Sequence, residues 1–555
     1  MVSQGCKKTL LAIAFFGISQ VSISQEEKSA LDRGQIHGNF QVDAQYYLTD
    51  SSFSAFQPED EMRFNGYGNI LYSNGGFTAG VRYEAYLNAL LGYPQGFNGS
   101  GIKYRFAQYR NEIFDITVGS FYEQFGSGLI FRSYYEPLFG YDNAMDGFRV
   151  NINPFKGMHI KTVYGHNRLF FGNSEGIVRG VDGEINLNEL CDSSRQGKKT
   201  NFIFGGSFVS KYQNPTDPNL ILPANVGAWS GRINIINGAS NFMVEYAYKI
   251  NDPSADNKFV YKNGEALYAS YSFAKKGFGF TTAAKYIDNM NFRSERNQTL
   301  TNSLINFMPA LTRPHTYNLA ATLYPYASQP NGEFASQTEL IVKRKAGKVL
   351  GGKYGVTFTA NYSLAFSTDT SALNDDSTTR LGYVVNKRFL PGDKMYFNDF
   401  NFEIKQKLTD KFKYVLTYIY LVNNIEVVQG KTGKGTVFAH IGVAELNYKF
   451  NRRHNLRMEL QHMYTKQDQG SWATVVAEYS ISPHWYFSAL DQYNYGNKHV
   501  EDRLHYPYVN VAYTLGPNRI SVGYGNQRAG LFCVGGICRA VPASKGLSIS
   551  ISSTF

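Results

Sequence analysis

The sequence predicts an all-β protein: a single large antiparallel transmembrane β-barrel. Three observations carry that expectation. The 555 residues include 41 Tyr and 41 Phe, yet only 18% are charged, which is not an average globular mix. Mean hydropathy is −0.32, and beyond the first two dozen residues no run of ~18 apolar residues could cross a bilayer as a helix. Finally, one unit recurs along the chain, about ten residues of alternating character and then a turn, so each strand shows one face to one solvent and the other face to another.

The N-terminus is read as an export signal. Lys7 and Lys8 precede an apolar stretch over 10–17, and Ser22 and Ser24 flank a cleavage point before Gln25. The stretch is too short to serve comfortably as a membrane anchor. Cys6 lies before it, whereas a lipid-acceptor cysteine would follow it, so a lipoprotein is not expected. Residues 1–24 are then the signal peptide, 25–35 a short periplasmic segment and 36–555 the barrel. No plug domain fits between Gln25 and Ile36.

The alternation is cleanest at the C-terminus, where Leu547, Ile549, Ile551 and Phe555 share one face and Ser548, Ser550, Ser552 and Thr554 the other. Phe77, Ala79, Val81 and Tyr83 likewise alternate with Thr78, Gly80, Arg82 and Glu84. A soluble sandwich would also alternate. Two features favour lipid instead: strands of about 10–14 residues, against the usual five or six of soluble sheets, and aromatics at strand ends, as at Tyr46 and Tyr47, Phe170 and Phe171, Trp485 and Phe487. Backbone amides facing lipid need partners, so such a sheet must close.

Loop lengths make an independent case, because barrels of this kind alternate short periplasmic turns with longer outer loops. With the first strand over 36–49 rising outward, short turns fall at 73–76, 111–113, 154–157, 237–240 and 275–277. Counting back from the C-terminus they fall at 516–518, 482–484, 451–454 and 409–411. The segment 188–200 breaks the pattern as an unusually long turn for that end. Thirteen strands precede Asn291 and nine follow Met395; candidates at 317–326, 334–343, 354–366 and 381–389 give a total of about 26, and two instead of four would give about 24.

Charged residues on the inward face come in opposite-sign neighbours: Arg82 with Glu84, Glu245 with Lys249, and Arg457 with Glu459, with Glu478 on the next strand. They are expected to pair across strands and fill the interior; a charged constriction selecting solutes is the alternative. A barrel this wide cannot be filled by wall side chains alone, so in-folded loops, a partner or water must occupy it. Cys533 and Cys538 flank Gly535 and Gly536 in the last outer loop and are expected to form a disulfide hairpin in an oxidising compartment. A metal site or a redox-active pair are the weaker alternatives there. Cys191 is left over as a free thiol or a link to a partner. The basic run Lys343, Arg344, Lys345, Lys348 and Lys353 reads as a solvated loop, with attraction to lipopolysaccharide or a partner as the alternative.

No residue spacing points to a catalytic constellation, and no catalytic, cofactor-binding or metal-binding residue is assigned. The formal charge of +11 is spread along the chain rather than gathered in a stripe, so nucleic acid is not an expected partner.

The sequence resembles outer-membrane β-barrel proteins of Bacteroidota that form a family of unknown function. The resemblance rests on Phe121-Tyr-Glu-Gln-Phe-Gly-Ser-Gly-Leu-Ile-Phe-Arg132, Gly140-Tyr-Asp-Asn143, Leu323-Tyr-Pro-Tyr-Ala327, His505-Tyr506, Tyr524-Gly-Asn-Gln-Arg528, Cys533-Val-Gly-Gly-Ile-Cys-Arg539 and Val541-Pro-Ala543. It implies a barrel in the cell outer membrane and no established reaction. Terminal Phe555 resembles the signal read by the barrel-assembly machinery, which with outer-membrane lipid is an expected partner. The expected function is non-enzymatic: porin-like passage of small polar solutes or, alternatively, a closed barrel acting as a subunit of an outer-membrane transport, secretion or assembly complex.

Overall fold

The chain closes into one antiparallel barrel of 24 strands. The computed structural model describes residues 34–53, 55–190, 200–373, 380, 382–534 and 537–555. The expected signal peptide and Cys191 lie outside the described residues. The first strand, Gln35–Leu48, pairs with the last, Ser544–Thr554, and Gly38 and Phe555 exchange both backbone hydrogen bonds at 2.8 Å. The ring of Phe555 is left on the outer surface, 64% exposed.

Every neighbouring pair in the wall is antiparallel, as hairpins alone require. Short turns gather at one end: after Met62–Asn74, Gly99–Arg110, Met145–Phe155, Asn225–Asn237, Gly264–Lys275, Tyr383–Lys407, Thr436–Lys449, Trp472–Ile481 and Tyr508–Leu515. The connection after Gly172–Asn186 belongs to the same end and begins as a helical turn, Leu187–Leu190. So does the basic loop between Gly332–Arg344 and Val356–Ala372.

The outer surface of the wall is apolar. Ile102, Val118, Phe148, Tyr164, Val509 and Val522 all lie exposed on it. Trp485 and Phe487 are exposed and stacked at 6.1 Å beside a short turn, as an interfacial girdle requires. Tyr46 is exposed too, but Tyr47 turns inward, its hydroxyl accepting a hydrogen bond from the Leu91 amide at 3.0 Å. Phe170 and Phe171, at a hairpin tip, pack on Phe97 and Tyr86 instead of joining the wall.

The count is 24 rather than about 26, and two segments account for the difference. Residues 317–326 form no strand: Asn318–Leu323 is a helix inside the barrel, and its Leu-Ala-Ala-Thr-Leu sequence buries Leu319 and Leu323 on one helical face. Residues 381–389 are no separate strand either. From Tyr383 on they are the outer part of the 25-residue strand Tyr383–Lys407, which runs through Pro391 and Gly392, a pair that locally favours a turn. The extra residues are absorbed by register shifts against the neighbouring strand between Ala365 and Thr370.

Candidate functional site

Two long connections enter the bore from the end opposite the short turns, and they decide what the barrel can do. The first joins Phe114–Phe121 to Met145–Phe155; the second joins Phe278–Asp288 to Gly332–Arg344. They pair with each other: Arg132 N donates to Ile305 O and Phe307 N to Gly128 O, both at 2.9 Å. The Asn306 side chain adds a bond to Leu129 O at 3.2 Å.

Around them the bore holds two apolar cores. In one, Phe125, Ile130 and Phe131 of the first insert and Met290, Phe292 and Ile305 of the second meet small inward-facing wall residues such as Ala228 and Ala247. In the other, Leu319, Leu323 and Tyr324 meet Ala335, Ile419, Ala439 and Trp472. Two glycines make room for the first insert. A Cβ at Gly180 would lie 2.7 Å from the Phe125 ring, and one at Gly126, whose φ is +51°, would lie 2.6 Å from the Glu245 carboxylate.

Charged groups pin the inserts to the wall. Arg82 and Arg168 face Glu84 and Asp142 in a square with all four sides bonded; Arg82 Nε meets Glu84 at 2.6 Å and Arg168 Nη1 meets Asp142, on the first insert, at 2.8 Å. Lys285 binds Glu333 at 2.8 Å and donates to Pro309 O of the second insert at 2.5 Å. Lys211 binds Asp252 at 2.7 Å, with Arg296 of the second insert 3.5 Å from the same carboxylate. Lower in the bore, Arg313 reaches Asn401 and Glu403 at 2.9 and 2.7 Å, and His315 lies 2.6 Å from Asp399.

The expected pairs divide by spacing. Arg82 with Glu84 forms, and Arg457 binds Glu459, Glu445 at 3.0 Å and Glu478 at 2.8 Å. Glu245 and Lys249 do not pair. Residues two apart on one strand face stand about 7 Å apart, within reach of long side chains, whereas four apart is about 13 Å. The inserts take the places between them: Glu245 accepts from Ser127 N at 2.7 Å, and Lys249 donates to Asn291 O at 2.5 Å.

Arg528 is a site that sequence reasoning missed. Its guanidinium donates to Gln492, Asn318, Thr322 and Ala529 O and lies over the Trp472 ring at 5.3 Å. Every one of these partners is neutral, and burial pushes the guanidinium down to about 10. The signal that could have found it is its place at the end of a strand, in one of the motifs that carry the family resemblance.

Not all of the bore is filled. Beside the seam between first and last strands an open cavity of about 520 Å³ remains, lined by Gln41, Asp43, Asn510, Ser521, Ser548 and Ser550 among others. Leu90, Leu91, Tyr93 and Val541, from the long connections, also line it. Hydroxyl and amide side chains alternate with apolar ones along its wall.

One spacing that the sequence reading passed over is a Gly-x-Ser-x-Gly at 172–176, the pattern of a hydrolase nucleophile elbow. Here it opens the strand Gly172–Asn186 instead of a strand-to-helix turn. Ser174 is buried, its hydroxyl takes a hydrogen bond from Ser294 at 2.9 Å, and the nearby His166 ring bonds its carbonyl oxygen rather than its hydroxyl. Cys533 and Cys538 stand directly opposite each other in the two-stranded hairpin Gly530–Val534 and Ile537–Val541. Their side chains lie outside the described residues.

The chain belongs to a family of unknown function (DUF6029), whose model matches residues 6–555. No curated protein matches it. Among solved structures it is similar to the siderophore receptor PirA from Pseudomonas aeruginosa, at 11% identity and a TM-score of 0.40, covering 96% of this chain and 82% of that one. It is also similar to the translocation pore of the P pilus usher PapC, at 9% identity and a TM-score of 0.46, covering 94% and 99%. A third is the copper transporter OprC, at 10% identity and a TM-score of 0.38, covering 96% and 82%.

Proposed function

We propose that this chain is an exported outer-membrane barrel without chemistry of its own, held closed to bulk solute by its inserts and acting as an interaction or structural subunit of a transport, secretion or assembly complex. The apolar packing inside the bore is the observation that carries this reading. A water-filled channel needs a polar lumen, whereas here Phe125, Ile130, Phe131 and Ile305 are fully buried at its centre. Opening the bore would return that surface to water and strand the ion pairs that pin it.

The apolar outer wall and the one-sided short turns support a place in the outer membrane with those turns toward the periplasm. Outer-membrane lipid then wets the wall, and Phe555 serves the assembly machinery. The facing positions of Cys533 and Cys538 support a disulfide, which mass spectrometry with and without reductant would test. Planar-bilayer recording of the purified full-length chain tests the main reading: the expected trace lacks stable openings, and frequent long-lived openings would overturn it.

The cavity beside the seam supports a second reading, porin-like passage of small polar solutes along that side. Proteoliposome swelling with small sugars separates the two. If Ser521→Trp together with Ser548→Trp slows a measurable swelling, solutes use the seam; if the native chain gives no swelling, the closed reading stands.

A further inference from the structure

The short-turn end is charged in a lopsided way that closing the barrel does not need. Four consecutive hairpins meet there: Gly264–Lys275 with Phe278–Asp288, Gly332–Arg344 with Val356–Ala372, Tyr383–Lys407 with Phe412–Asn424, and Thr436–Lys449 with His454–Tyr464. Over 275–276, 343–353, 405–413 and 449–453 their turns and strand ends carry two, five, four and three cations, fourteen in all, against the single carboxylate of Asp410. Lys407 lies 3.3 Å from Asp410, and no other of the fourteen has an ion pair among the described residues. At the opposite end the first long connection, 49–61, has four carboxylates and no Lys or Arg.

Two features say what such a crescent fits. Lys405 and Lys407 follow Asn401 and Glu403 on the inward face, and Lys449 follows Glu445, so they overhang the mouth of the bore instead of the lipid. The loop between Gly332–Arg344 and Val356–Ala372 adds an apolar tip, with Val349 87% and Leu350 71% exposed between Lys348 and Lys353, beside a cleft of about 440 Å³. Headgroups of the surrounding bilayer reach the outside of the wall, not the overhanging face, and an anionic polysaccharide has little use for an apolar tip. An acidic protein segment with apolar residues uses both.

We propose that this crescent, centred on Lys345, Lys348 and Lys353, is a docking surface for an acidic protein segment seated over the short-turn mouth. The proposal rests on the reading of the barrel as an interaction subunit and names the chemistry of its partner. Such docking is steered by charge and screened by salt.

The test uses the full-length chain in nanodiscs of zwitterionic lipid, with fluorescent poly-L-glutamate as probe. The native barrel is expected to bind it at low salt. Lys345→Glu combined with Lys348→Glu and Lys353→Glu should weaken binding by roughly tenfold or more, while Lys498→Glu with Arg503→Glu, at the opposite mouth, leaves it unchanged. Equal binding by the triple variant overturns the proposal. So does equal or tighter capture of phosphatidylglycerol vesicles lost in the same triple variant, because a membrane would then be the occupant. Conductance is read separately on the native chain, so an open pore would sink the closed-barrel reading without touching this result.

Discussion

The two halves of the bore are built on opposite plans. On one side the inward faces of the wall carry Ala228, Ala247, Ala335 and Ala439, small apolar residues against which the inserts pack. On the seam side they carry Gln41, Asp43, Ser521, Ser548 and Ser550, and a cavity remains. The outward faces are alike on both sides. What the difference teaches is that a barrel wall encodes its contents on the inner face, strand by strand: alanines set among buried, partnered charges where the inserts pack, short polar side chains where the bore stays open.

Four substitutions break or sharpen this contrast. On the filled side, Lys285→Ala leaves the Glu333 carboxylate buried without its cation and should cost about 3–5 kcal/mol; urea unfolding in detergent reads it, and Lys285→Met with Glu333→Gln should restore most of the loss. Ile130→Ala, fully buried in the first apolar core, should cost about 2–5 kcal/mol by the same measurement. On the seam side, Ser521→Ala should stay within about 0.5 kcal/mol of native; a loss as large as that of Ile130→Ala would mean the cavity is packed after all.

The smallest effect belongs to the rim. Lys545 donates to Asp50 at 2.8 Å, and this hydrogen bond, with help from Ser52, holds the Asp50 carboxyl down at about 2. Because its folded pKa lies below the ordinary 3.8, its contribution is present above that value and fades as pH falls toward about 2. Melting curves of Asp50→Asn and native chain should therefore differ slightly at neutral pH and converge in acid.

The wall was legible because its signal is a period of two residues, set by the pleat and repeated in every strand. Both ends of the chain gave their turns from Gly, Asn and Pro placement. The inserts were not legible as such. Residues 317–326 place aromatics and leucines at spacings that fit a strand or a helix equally, and only the space inside the barrel selects the helix. The alternation itself held a clue in the inward alanines: Ala247, between Glu245 and Lys249, marks a wall that faces protein. The buried charges were legible as inward-facing, and Arg82 with Glu84 and Arg457 with Glu459 and Glu478 were legible as pairs; Glu245 and Lys249 were not, because each finds its partner on an insert far away in the sequence.

Arg528 has one more implication, for the order of construction. It clasps Asn318, a residue 210 positions earlier, and sits just after the next-to-last barrel strand. The second insert therefore lacks this clasp until nearly the whole polypeptide has arrived. A half-built cylinder is a hollow one, and the occupant of its interior is locked in by almost the last piece laid.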